Sequence, residues 1–111
     1  MRTVSAPAVD TVSGRGTNTD GAVTTLIAAQ GANTKTWITD VSIANTSATT
    51  ITVDLLDDAT VIFTFIAPAG GGVVHAFATE LPGTANKAWK FQGSAAVTTL
   101  TCSANGFLTK T

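Results

Sequence analysis

The sequence has 111 residues, with six Lys and Arg against seven Asp and Glu, a formal net charge of −1, and 12% charged residues beside 44% hydrophobic ones. That balance excludes the basic face needed to bind nucleic acid, and no apolar run approaches the ~20 residues needed to span a bilayer. A single cysteine excludes an intrachain disulfide.

The size fits one domain with a modest core. The charged fraction is about half the usual level, so colloidal repulsion is weak and the surface is of a kind that neighbours cover. Roughly one residue in five is Thr, which favours pleated sheet.

In chain order, residues 1–20 (MRTVSAPAVDTVSGRGTNTD) are small and polar, with no aliphatic larger than Val apart from the initial Met. They cannot bury enough apolar surface to fold alone, so an extended arm is expected that orders on a partner, with Arg2, Val4, Val9, Val12 and Arg15 as its contacts. The segment lacks the apolar stretch of a secretory signal, and assembly in a cytoplasm is expected.

From residue 21 the pattern becomes that of a sheet. GAVTTLIAAQ reads as a first strand, with only a weak helical alternative over 22–29. TWITDVSIAN alternates, placing Trp37, Thr39, Val41 and Ile43 on one face. TITVDLLD turns Ile51, Val53 and Leu55 inward. VIFTFIAP is apolar on both faces, with Val61, Phe63 and Phe65 against Ile62 and Ile66, so something beyond the core is expected to cover it. After the glycines VVHAFATE is a strand, LPGTANKA a loop and WKFQG a short strand. The remainder is one long strand or a hairpin broken near SANG. Such strands, punctuated every 8–12 residues, predict an all-β, single-domain antiparallel β-sandwich, jelly-roll-like, with seven to eight strands over residues 21–111.

The residues that could carry chemistry are few. The run APAGGGVVHAF sets three glycines before the only histidine, but a phosphate-binding loop needs a helix after it, and here a strand follows. A hairpin connection is the expectation. His75 has no sequence-local nucleophile or carboxylate; a small hydrolase would need it to meet Asp54 or Asp57. One His and one Cys do not make a zinc site. DLLDDAT lacks the ligand spacing and turn glycine of a calcium loop. Cys102 reads as a buried, inert thiol. Neither catalytic residues nor a cofactor are therefore expected. Trp37 and Trp89 are expected in the core; exposure of either would favour a carbohydrate-binding adhesion module.

The pieces GANTKTWITDVSIANTSATTITVDLLD, FIAPAGGGVVHAF, LPGTANKAWKFQGSAAVTTL and SANGFLTK, over about residues 24–109, resemble a family of small phage and prophage structural proteins of the capsid decoration (cement) type. The resemblance implies a sandwich that forms homotrimers on the outer shell, binds the major capsid protein and bridges neighbouring capsomers. A neck or tail structural protein on a similar sandwich is the alternative. In that setting the outward face of VIFTFI, with Ile62 and Ile66, and His75 beyond the glycines are the candidate trimer contact, and the N-terminal arm the candidate capsid contact.

Overall fold

A computed structural model describes residues 10–97 and 99–110. They form eight strands and no helix: β1 (Asp10–Asn18), β2 (Thr24–Ile27), β3 (Thr34–Asn45), β4 (Ile51–Asp57), β5 (Thr60–Ala67), β6 (Gly71–Pro82), β7 (Trp89–Gly93) and β8 (Leu100–Lys110). One sheet has the order β1-β8-β3-β6 and the other β2-β7-β4-β5. Every pairing is antiparallel.

The order follows from one rule. β1 pairs with β8, β2 with β7, β3 with β6 and β4 with β5. The chain is thus one long hairpin whose tip is the β4–β5 turn, rolled up so that alternate strand pairs fall in opposite sheets. This is the jelly roll, as the strand pattern leads one to expect. Its tip is a tight turn in which Asp58 takes φ 57°, a conformation that Asp tolerates better than most residues.

The core lies between the sheets. Ile38, Val41 and Ile43 of β3 and Leu100, Cys102 and Ala104 of β8 face Val53, Leu55, Trp89 and Phe91 of β4 and β7. The alternation expected across β3 holds only from Val41 onward. A bulge between Ile38 and Asp40 shifts the register against both neighbours. It turns Ile38 inward to complete burial and leaves Trp37 on the outer face. A bulge inserts a residue into one strand, so the side-chain parity changes on passing it.

Two further expectations are corrected. Residues 10–18, assigned from sequence to a free arm, are β1, paired with β8 along its whole length. Val12 faces the core and packs against it, and inward-facing Gly14 and Gly16 leave room for the β2 backbone and the Phe91 ring. β1 ends in a turn that its own residue builds: Asn18 Oδ1 accepts from the backbone N–H of Gly21 (2.8 Å) and Asp20 (3.1 Å). Arg2, Val4 and Val9 lie outside the described residues.

The glycine run joins β5 to β6, which belong to opposite sheets, so it is an arch and not a hairpin. Gly70 alone takes a positive φ (64°), while Gly71 and Gly72 already belong to β6. Of the two readings of the last segment, the single long strand holds, as β8.

Candidate assembly surface

The two sides of the sandwich differ. At one side β1 lies closely against β2. At the other the edge strands β5 and β6 stand apart, and the gap is filled by aromatic rings: Phe63 and Phe65 of β5, His75 and Phe77 of β6. His75 lies 4.6 Å from Phe77, 5.2 Å from Phe63 and 6.1 Å from Phe65 between ring centroids. Phe63 meets Phe65 at 4.7 Å and Phe77 edge-on at 5.4 Å. Phe65 is buried, whereas Phe63, His75 and Phe77 are half-buried and close the open side only in part.

Around this seam lie exposed aliphatics. Val61 (50% exposed), Ile62 (40%) and Ile66 (67%) on β5 and Val74 (75%) on β6 are four of the five exposed large hydrophobics among the described residues. Ile62 and Ile66 point from the outer face of one sheet and Val74 from the outer face of the other, so together they wrap the open edge. Of the three residues expected at a subunit contact, Ile62 and Ile66 are on the surface. His75 faces inward, in the seam between them and β6. Val61 and Val74 join the patch. Their signal in the sequence was the apolar run VIFTFI and the VV pair after the glycines. Edge strands of this kind carry unpaired backbone groups beside apolar side chains, and natural proteins cover or charge them.

The carboxylates do not gather. Thr64 Oγ1 donates to Asp54 Oδ1 (2.8 Å). Asp57 accepts from both the backbone N–H (3.0 Å) and the hydroxyl (2.7 Å) of Thr84, holding the β6–β7 loop. Asp58 pairs with Lys90 at 3.5 Å. His75 points between the sheets, whereas Asp54 lies on the outer face of the opposite sheet. The hydrolase constellation is thus not brought together. Among the described residues no group of three His, Cys, Asp or Glu converges as a metal site would require. Burial pushes the Cys102 thiol up to about 12, as suits an inert core residue.

The tryptophans divide. Trp89 is 0% exposed and its Nε1 donates to the Thr36 carbonyl (2.8 Å), a satisfied core residue. Trp37, expected in the core, is half-buried on the outer face of its sheet. There it stacks on its cross-strand partner Phe107 (5.8 Å, 9° between planes), and its Nε1 donates to Thr109 Oγ1 (2.8 Å). Beside Phe107 an open concavity of about 480 Å³ runs toward β1, lined also by Thr11, Val12, Ser13, Thr39, Asn105 and Gly106.

No family model matches the sequence, nor does any curated protein. Solved structures do. The chain is similar to one in the acid-stable capsid of Helicobacter pylori bacteriophage KHP30, at TM-score 0.59 and 12% identity over 92% of this chain and 94% of that one. It is also similar to a chain of Bacillus endospore appendages, described as a novel family of disulfide-linked pili, at TM-score 0.51 and 10% identity over 96% of each. A third, in a virus-like particle of the extra small virus of the giant freshwater prawn Macrobrachium rosenbergii, lies at TM-score 0.41 and 11% identity, over 96% of this chain and 83% of that one. What the first two share with this chain is the fold. Both match nearly end to end, so each is a chain of about this length.

Proposed function

We propose that this protein is a virion structural component that decorates the outer shell of a phage, self-associating, as a homotrimer, through its open β5–β6 edge and bridging subunits of the major capsid protein. The observation that carries the reading is the near end-to-end fold match to a similarly sized chain of a phage capsid. The exposed apolar edge and the low charge support it, because both suit a surface that neighbours cover. Residues 1–9, with Arg2, Val4 and Val9, are the proposed capsid contact. They lie directly before β1, an edge strand of its sheet.

The second fold match offers a different assembly, a disulfide-linked filament. A filament linked covalently from subunit to subunit needs at least two cysteines in each, one toward each neighbour. This sequence has one, and Cys102 is 1% exposed. Its chemistry therefore favours non-covalent association.

The test is reconstitution. Shells assembled from the major capsid protein of the same phage, mixed with the purified chain, should gain ordered density at many symmetry-related positions on their outer surface. Density confined to a single vertex would assign the chain to the neck or tail instead. An absence of binding would end the decoration reading.

A further inference from the structure

The outer face of the β1-β8-β3-β6 sheet carries a second feature, unrelated to the open edge. The bulge at Ile38/Asp40 lies opposite Gly106, where a side chain would run into the Trp37 carbonyl oxygen. Glycine here lets the two backbones approach and leaves a floor without a side chain. Phe107 forms one wall of the concavity above it. Trp37 is stacked behind Phe107, on the side away from the concavity, and is pinned by Thr109. The ring is therefore held by packing.

The rim is polar and organised. Thr39 Oγ1 lies 2.9 Å from Asp40 Oδ1 and 3.0 Å from the Asn105 carbonyl oxygen, its hydrogen serving one or the other. Asn105 Nδ2 donates to Asp40 Oδ2 (3.1 Å). Asp40 thus orients both rim groups. Asn105 Oδ1 has no partner among the described residues, and its amide keeps one further N–H, so an acceptor and a donor sit side by side at the edge of the concavity. Ser13 and Thr11 of β1 add hydroxyls on the opposite side.

From this arrangement we infer that the concavity beside Phe107 binds a neutral hexopyranose residue of a glycan. A pyranose presents an apolar C–H face, which an aromatic wall accepts, and adjacent hydroxyls, which a side-by-side donor and acceptor match. Neither Lys nor Arg is among the residues lining the concavity, and Asp40 stands directly behind its rim, so an acidic sugar is disfavoured. The inference does not rest on self-association. It requires that this face stay open beside the proposed capsid contact at residues 1–9; the exposed aliphatics of β5 and β6 lie along the opposite edge of the sandwich.

Titration of the full chain with methyl β-D-glucopyranoside, methyl β-D-galactopyranoside and methyl α-D-mannopyranoside, followed by backbone NMR shifts, tests it, with N-acetylneuraminic acid as the anionic control. At least one neutral glycoside should shift Thr39, Asn105, Gly106 and Phe107 together and saturate with a Kd on the order of 1 mM. Asn105→Ala, at an exposed position, should weaken that binding about tenfold or more while leaving the melting temperature unchanged. Three results would overturn the proposal: no saturating shift from any neutral glycoside at about 10 Kd of this scale, equal binding by Asn105→Ala, or tighter binding of the acidic sugar. Shifts at these residues that arise only on adding capsid shells would reassign the concavity to a protein contact.

Discussion

Two buried residues hold more of the structure than their chemistry advertises. Asn45 is 1% exposed and uses its whole amide: Nδ2 donates to the carbonyls of Thr49 (2.8 Å) and Ala67 (3.1 Å), and Oδ1 accepts from the Ser47 N–H (3.0 Å) and hydroxyl (2.7 Å). It ties the β3–β4 turn to the end of β5, in the other half of the chain. Asn45→Ala orphans several buried groups at once, so it should cost about 2–4 kcal/mol in chemical denaturation. Cys102 gives a pH signature. Its folded thiol lies at about 12, against 9.0 for the ordinary group. Below pH 9 both states keep the proton and the stability is whole. Above it the unfolded state ionises first, so stability falls by up to about 1.4 kcal/mol per pH unit until the folded thiol titrates near 12. Unfolding midpoints measured between pH 8 and 11 should show this fall in the parent and lose that component in Cys102→Val. Reading TSAT as a turn could not show that Asn45 also ties β5, since its partner at Ala67 is 22 residues away.

At the scale of the strands, the proposed self-association rests on β5 and β6. Ile66→Asp or Val74→Asp should prevent self-association in light scattering. The melting temperature of the isolated chain should stay within a few degrees of the parent, because both side chains are more than half exposed. If either variant associates as the parent does, the contact lies elsewhere. Most of β4 and β5 was legible in the sequence because alternation survives from Ile51 to Leu55, inward at Ile51, Val53 and Leu55, and from Phe63 to Ala67; a second bulge at Leu55/Leu56 breaks it, so Leu56 is buried and Val61, expected on the face of Phe63 and Phe65, is exposed. β3 and β1 were not. The bulge at Ile38/Asp40 resets parity mid-strand through Gly106, 68 residues away, and so concealed that Trp37 faces outward. β1 looked like an arm because its inward positions are Val12, Gly14 and Gly16, too small to register as an apolar face. They are small because β2 and Phe91 lie against them. The turn signal at Asn18–Gly21 was present, but it has meaning only once β1 is a strand.

At the scale of the whole molecule, the pairing of first with last strands makes most contacts long-range, a topology that folds slowly for its size. Such a body, low in charge and apolar along one edge, suits a lattice in which many modest contacts add through symmetry. A homotrimer of three 11.2 kDa chains has a mass of about 34 kDa. The central claim is that this sandwich covers and braces a phage shell. Its most direct test is a cryo-EM reconstruction of shells of the major capsid protein after addition of the purified chain. The account predicts copies of the eight-stranded sandwich on the outer surface, grouped about threefold axes with their β5–β6 edges together. Bare shells, or a single copy set at one vertex, would contradict it.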